Sequence, residues 1–336
     1  MTAPPIFVVG APRSGTSLLR QMLNRHPALA ICYETHFLRL ICPERRRKAF
    51  GDLSRQENRE RLVSEYLSLR PAQQLGVDWT KFRSRLMAEA TNCSAFFTAV
   101  LRCYAESQGK QRFGDKTPGN AFYLDTLSEW FPGAPILHIV RDPRDVAASL
   151  LRMPFGSPSA IQNAKTWLRY VLAARRFSDR PEYLEIRYET LVDEPEQELT
   201  KICQFIGEDY SPCMLTAEQA STAHPAGWDR YQAPLTAGRL GQWRRQLTEE
   251  QVSQIEWAVG PYMEASGYTR EAPPASLAAV LSGLSFAAFV RGRRAVPKLP
   301  ALWYHLFAPR EIAKYEYWIH RKAWMTEEPA ARTQPR

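Results

Sequence analysis

No apolar run in these 336 residues reaches the roughly 18 needed to span a bilayer, so no membrane-spanning helix is expected. The start, Met1-Thr2-Ala3-Pro4-Pro5, has no basic region and runs directly into a strand pattern, which reads as no signal peptide. The six cysteines are Cys32, Cys42, Cys93, Cys103, Cys203 and Cys213. No two have C-x-x-C spacing, which speaks against a zinc or dithiol redox site. Scattered single cysteines suit a reducing compartment, and a cytoplasmic location is expected. There is no internal repeat and no low-complexity tract.

What is present is ordinary for a globular enzyme: 45% hydrophobic and 24% charged residues. The length suits one large α/β domain or two smaller ones. Net charge is +9, from 44 basic and 35 acidic residues. A basic surface suits an anionic ligand, a membrane face or nucleic acid. The charge is uneven: residues 270–336 hold eleven basic and five acidic side chains.

Short β-branched runs alternate with amphipathic ones, the pattern of a mainly parallel sheet. Strands are expected at Ile6–Gly10, Leu29–Cys32, Pro135–Val140 and Tyr183–Ile186, with a weaker one near Arg112–Asp115. Helices are expected at Thr16–Arg25, Thr35–Ile41, Asn58–Leu69, Cys93–Ser107, Ala121–Trp130, Asp145–Leu151, Ala160–Phe177 and Glu196–Ile206. The fold class is thus α/β. Residues 1–270 read as one three-layer domain, with a helical insertion at about 43–109 that could shape a substrate pocket. Residues 271–336 read as a basic, aromatic-rich helical extension.

The segment Gly10-Ala11-Pro12-Arg13-Ser14-Gly15-Thr16-Ser17 joins an apolar strand to a helical pattern. Such a turn aims backbone N–H groups at one point, where the positive end of the helix dipole also lies. The spacing matches the phosphate loop G-x-x-x-x-G-K-[ST] with one residue changed. Thr16 stands where the lysine belongs, and Arg13 is the loop's only cation. Farther on, Ile136–Val140 delivers Arg141 to a strand end, followed by Asp142-Pro143-Arg144-Asp145 and then Ser149 about two helical turns in. Ligands of open α/β sheets bind at the carboxyl ends of strands, which places Arg141 near the first loop. An arginine fork with a helix hydroxyl can hold a second phosphate. The plainer reading of Arg141 is an arginine–aspartate surface pair.

These two segments together resemble the sulfotransferase family, whose P-loop-like enzymes use 3′-phosphoadenosine-5′-phosphosulfate (PAPS) as co-substrate and need no metal. The resemblance runs from about Ile6 to Leu247. It implies that Arg13, Ser14, Gly15, Thr16 and Ser17 grip the 5′-phosphosulfate, and that Arg141 and Ser149 grip the 3′-phosphate. Arg187-Tyr188-Glu189-Thr190-Leu191 resembles the family's Y-E-x-L element, with Tyr188 on the nucleotide; the plainer reading is a core tyrosine. Gly238-Arg239-Leu240-Gly241-Gln242-Trp243 resembles the late R-K-G-x-x-G-D-W loop. The Arg-Lys pair of that loop falls on Thr236-Ala237 here, and Arg239 is the replacement cation.

Within the family, the motifs are most similar to the tyrosylprotein and carbohydrate-type branch. The stretch His26-Pro27 to Glu34-Thr35 then makes Glu34 the general base, as a carboxylate within reach of a hydroxyl can be. Gly114-Asp115-Lys116-Thr117-Pro118 resembles an element whose lysine faces the reacting sulfate. Arg13 and Lys116 would stabilise charge on the leaving oxygen. Plainer readings make Glu34 a first-turn helix residue and Asp115–Lys116 a surface pair. His36 is the alternative base, while His26 and His138 read as structural. Met153 and Ala233 stand where the tyrosylprotein branch has basic residues, so the acceptor reads as a carbohydrate, lipid, small natural product or protein hydroxyl.

In the tail, Leu277, Val280, Leu281, Leu284 and Ala288 share a helical face and precede Arg291, Arg293, Arg294 and Lys298. That pattern suits a peripheral membrane contact, packing on the enzyme, or a homodimer surface. No nucleic-acid partner is assigned. Two other function classes stay open: a nucleotide kinase or NTPase of the phosphate-loop type, and an inactive nucleotide-binding scaffold.

Overall fold

The computed structural model describes residues 3–43, 48–215 and 240–273. In chain order the elements begin β1 (Ile6–Gly10), α1 (Thr16–Arg25), β2 (Leu29–Tyr33) and α2 (Phe37–Ile41). The insertion follows, with α3 (Gln56–Ser68), α4 (Arg70–Gln73), α5 (Trp79–Glu89) and α6 (Cys93–Ser107). Next come β3 (Arg112–Lys116), a 3₁₀ turn at Pro118–Phe122, α7 (Leu124–Trp130), β4 (Ile136–Val140), α8 (Pro143–Leu151) and α9 (Ala160–Arg175). The rest is β5 (Tyr183–Arg187), α10 (Tyr188–Asp193), α11 (Pro195–Ile206), a 3₁₀ turn at Pro212–Leu215, α12 (Trp243–Gln246) and α13 (Glu249–Glu264).

The five strands form one parallel sheet in the order β2-β3-β1-β4-β5. Successive side chains of a strand point to opposite faces, and the core follows that alternation. Phe7, Val9, Ala30, Cys32, Ile136 and Val140 pack one way, with Phe37 and residues of α6 and α9. Ile6, Val8, Leu29, Ile31, Leu137, Ile139 and Ile186 pack the other way, with residues of α1, α10 and α11. Burial on both faces is why β1 and β4 read as unbroken apolar runs.

All five strands lie within a residue of their expected positions. The one that gave the weakest signal, β3, sits between β2 and β1. Its sequence, Arg-Phe-Gly-Asp-Lys, has one large apolar residue. Gly114 lets it fit, because a Cβ there would lie 2.2 Å from the Ile6 carbonyl oxygen. Some helices differ from expectation. The expected helix Ala121–Trp130 divides at Tyr123 into the 3₁₀ turn and α7, since Pro118 opens a tighter turn. The helix expected from Thr35 begins at Phe37. Helices α4, α5, α10, α12 and α13 are additional to those expected. Of the expected extension, residues 271–273 are described and 274–336 lie outside the described residues, as does Arg239.

Candidate functional site

The carboxyl ends of β1, β2, β3 and β4 bring the candidate residues to one edge of the sheet. Gly10 opens the loop after β1 because a Cβ there would meet the Ile139 carbonyl oxygen of β4 at 2.5 Å. Gly15 closes the loop with φ of 104°, and a Cβ there would lie 2.3 Å from the Tyr188 ring. A left-handed residue against an aromatic face leaves only glycine. Among the described residues no side chain caps α1, and its first turn has no acidic residue. Its N–H groups therefore face the loop with the full positive end of the dipole. The Ser14 hydroxyl is fully buried in this cradle and has no hydrogen-bond partner among the described residues. A buried orphan hydroxyl beside open N–H groups fits an anionic oxygen.

The second expected cluster joins the first directly. Arg13 Nε donates to Ser149 Oγ at 2.9 Å across 136 residues of sequence. Arg141 reaches the Arg13 carbonyl at 3.5 Å, and its guanidinium lies 4.2 Å from the Tyr188 ring centroid. Arg141 and Tyr188 are both buried, and Trp167 donates to the Arg141 carbonyl at 2.9 Å. The arginine–aspartate pairing foreseen for Arg141 exists, to Asp145 at 3.3 Å, but it is interior rather than surface.

The third cluster lies at the ends of β2 and β3. Lys116 Nζ donates to Glu34 Oε1 at 2.6 Å and to Ser17 Oγ at 3.3 Å, so it bridges the phosphate-type loop and the candidate base. Lys116 and Asp115 are both fully buried, which overturns the surface-pair reading. Asp115 instead accepts from the Thr35 N–H at 3.2 Å and from Asn120 Nδ2 at 2.7 Å, pinning the turn after β2. Glu34 lies outside α2, so it is not a first-turn helix residue. Its other carboxylate oxygen is 3.4 Å from His36 Nε2.

Burial opposes ionisation of Glu34, but Lys116 and His36 together outweigh it and hold the carboxyl well below the usual range. Burial lowers the Lys116 ammonium, with Glu34 opposing that loss. Burial also lowers the His36 imidazole, with Glu34 opposing that loss. Burial raises the Asp115 carboxyl to about 6.

Arg13, Glu34 and His36 have φ of 73°, 28° and 49°, and no other non-glycine residue among those described has positive φ. Backbone strain held at one place marks it as built for something other than stability.

Sequence reasoning missed two residues here. Asp145 accepts the backbone N–H groups of Gly241 at 3.1 Å and Trp243 at 2.9 Å, tying the late loop to α8. Its spacing of four from Arg141 on a helix start was an available signal. Tyr33, next to Glu34, lies with its ring centroid 4.0 Å from Lys116 Nζ. The two histidines read as structural are inside the fold. His26 accepts from the Ala28 N–H and contacts the Asp209 carbonyl, and His138 meets the Tyr183 hydroxyl at 2.6 Å.

A parallel sheet with an open phosphate-type loop after its central strand defines the phosphate-loop class of α/β folds. Residues 4–212 match the profile of the Sulfotransferase family, and the chain belongs to that family. It is 23% identical over 278 residues to a putative protein-tyrosine sulfotransferase of Caenorhabditis briggsae, covering 78% of this chain and 88% of the relative. It is 26% identical over 326 residues to the omega-hydroxy-beta-dihydromenaquinone-9 sulfotransferase of Mycobacterium tuberculosis, covering 83% of this chain and 79% of that protein. Its fold is similar to the sulfotransferase domain from the curacin biosynthetic pathway, with a TM-score of 0.56 at 20% identity over 81% of this chain and 100% of that one. Among the described residues, no helix is long and apolar enough to cross a membrane.

Proposed function

We propose that the chain transfers the sulfuryl group of PAPS to a hydroxyl acceptor by direct in-line displacement, releasing adenosine 3′,5′-bisphosphate. The observation that carries this reading is the contact chain Ser17–Lys116–Glu34, which links the loop that would hold the phosphosulfate to a carboxylate able to take a proton. In this reading Arg13, Ser14, Gly15, Thr16 and Ser17 hold the 5′-phosphosulfate. The open N–H groups of α1 and the orphan Ser14 hydroxyl fit its oxygens. Arg141 and Ser149 hold the 3′-phosphate and Tyr188 borders the nucleotide. Arg239 is kept as the late-loop cation.

The chemistry follows from what each residue carries. Glu34 takes the acceptor's proton as the hydroxyl attacks sulfur. The bond from sulfur to the bridging oxygen breaks as the new oxygen–sulfur bond forms, and the negative charge stays on the phosphate. Lys116 and Arg13 are the cations that stabilise that charge. His36 holds the second oxygen of Glu34 and so orients it. A metal is not assigned a role.

Kinase chemistry has weaker support. Thr16 replaces the lysine that contacts the β- and γ-phosphates. Asp115, at the end of the strand beside β1, has its oxygens engaged by Thr35 and Asn120.

For the acceptor we propose a carbohydrate, lipid or small natural product hydroxyl, with a protein tyrosine as the alternative. The named acceptors of the two relatives differ, one a protein tyrosine and the other a hydroxylated dihydromenaquinone. Residues 1–270 are proposed to form the catalytic domain in the cytoplasm. For the tail, flotation with anionic vesicles, with and without residues 273–336, separates membrane contact from packing or homodimer formation. Radiolabelled PAPS incubated with the protein and a cell extract tests the reaction and yields the acceptor as the labelled product. Turnover of ATP with magnesium, and none of PAPS, would overturn the reading.

A further inference from the structure

Lys116 is fully buried and its ammonium has three contacts among the described residues: the Glu34 carboxylate, the Ser17 hydroxyl and the Tyr33 ring face. We infer that Tyr33 is a positioning residue for sulfuryl transfer, its ring holding the Lys116 ammonium at the reacting centre at the moment Glu34 becomes neutral. The inference rests on the roles proposed above for Glu34 and Lys116.

The movement of charge during the transfer is where such a group acts. The proton of the acceptor hydroxyl passes to Glu34, which then carries no charge. Lys116 loses its counter-ion at 2.6 Å just as negative charge gathers on the leaving oxygen. Through that handover the Ser17 hydroxyl and the Tyr33 face are the protein contacts of the ammonium that do not change charge. An aromatic face attracts a cation most strongly where water is excluded. A contact that matters more in the transition state than in the bound ground state acts on turnover rather than on binding.

Arg20 increases the demand. Its guanidinium lies 5.3 Å from the centroid of the same ring. It is held by the Ile31 carbonyl at 2.8 Å and the Tyr104 hydroxyl at 3.2 Å, with no ion pair to a carboxylate among the described residues. A second fixed cation so near repels Lys116 and favours loss of its proton. The ring attracts both cations and keeps them packed together. An aliphatic side chain of similar size would fill the space and supply neither attraction.

The test compares Tyr33→Leu, Tyr33→Met and Tyr33→Phe with the unaltered full chain, and Lys116→Met as the control. Initial rates are measured with radiolabelled PAPS and a cell extract as acceptor source, and adenosine 3′,5′-bisphosphate affinity is measured by calorimetry. Melting curves identify variants that have not folded, and either aliphatic variant serves alone. The expected result is turnover lowered about tenfold or more by Leu or Met, nucleotide affinity within about twofold, and recovery with Phe.

The alkaline limb of the pH profile should also move to lower pH in the aliphatic variants. The groups facing Lys116 are Glu34 and His36 from the turn after β2, Arg20 from α1 and Asp115 from its own strand. All are unchanged in every Tyr33 variant, so the shift reports the ring. Full turnover in a folded aliphatic variant, failure of Phe to restore it, or an unmoved alkaline limb overturns the inference. If Lys116→Met turns over normally, the proposed site itself is wrong. If Lys116→Met is inactive while the aliphatic Tyr33 variants are active, only the role of Tyr33 falls.

Discussion

Arg13 donates to the Ser149 hydroxyl at 2.9 Å, so the loop after β1 and the helix after β4 are in direct contact. A hydroxyl that already holds the loop arginine at one point is placed to share a second anion with it. Ser149→Ala should weaken adenosine 3′,5′-bisphosphate by about tenfold, the loss of one hydrogen bond to a charged group. Arg141→Ala should weaken it more, by about a hundredfold, and also lower the melting temperature, since Asp145 loses its buried partner. Calorimetric titration of both variants checks the order. Equal affinity in Ser149→Ala and the unaltered protein would remove Ser149 from the nucleotide site.

Glu34→Gln is the substitution that separates chemistry from binding. The amide keeps an oxygen for Lys116 but cannot take a proton. Turnover should fall by about 10²- to 10⁴-fold, the usual weight of a general base, while nucleotide affinity stays within about threefold. If turnover survives, His36 becomes the base, since it stands 3.4 Å from Glu34 and burial favours its neutral form. Steady-state rates of Glu34→Gln and His36→Ala, measured side by side, decide between them.

Much of this site was legible because it lies in short segments with strong local rules. A strand, a glycine-bearing turn and a helix start identify the loop at Gly10–Ser17 from spacing alone. Arg141 and Ser149 lie eight apart on one strand-to-helix unit, so their proximity is local too. Other features depend on contacts across the fold. The position of β3 between β2 and β1 comes from Gly114 packing on Ile6, which no periodicity reveals. The burial of Asp115 and Lys116 follows from that position. Tyr33 reads as one more strand residue until Lys116 arrives above its ring from 83 residues away.

Asp145 couples two parts of the site and should show it on substitution. Its carboxylate is buried and joins Arg141 at 3.3 Å to the N–H groups of Gly241 and Trp243. Asp145→Ala leaves two backbone donors and one guanidinium without their acceptor. A loss of about 2–4 kcal/mol in stability is expected from buried groups left unpaired. Asp145→Asn keeps one acceptor oxygen and should lose roughly half as much. Chemical denaturation of both gives the ranking. In a double-mutant cycle with Arg141→Ala, the two losses should add to much less than their sum, because they break one network. Strict additivity would show that Asp145 and Arg141 are not coupled.

Asp115 gives a pH signature that can be read without any substrate. Burial raises its carboxyl to about 6, against hydrogen bonds from Thr117 and Thr35 and the attraction of Lys116. The unfolded chain binds this proton only near the ordinary value of 3.8. Between those two values the folded state holds more protons than the unfolded state. Stability from this group is therefore complete below about pH 3.8, declines as pH rises to about 6, and is level above that. Asp115→Asn removes the titration and keeps an oxygen for the Thr35 N–H, while the Asn120 amide can turn to accept from the new NH₂. The unfolding free energy of Asp115→Asn relative to the unaltered protein, measured by chemical denaturation, should rise between pH 4 and 6.5 and then stay constant, with a total swing on the order of 2–3 kcal/mol. Glu34, whose depressed carboxyl acts in the opposite direction, is present in both proteins and cancels from the difference. A difference that does not vary with pH would mean that Asp115 stays ionised through this range and that the turn holding Glu34 is fixed by a charged clamp.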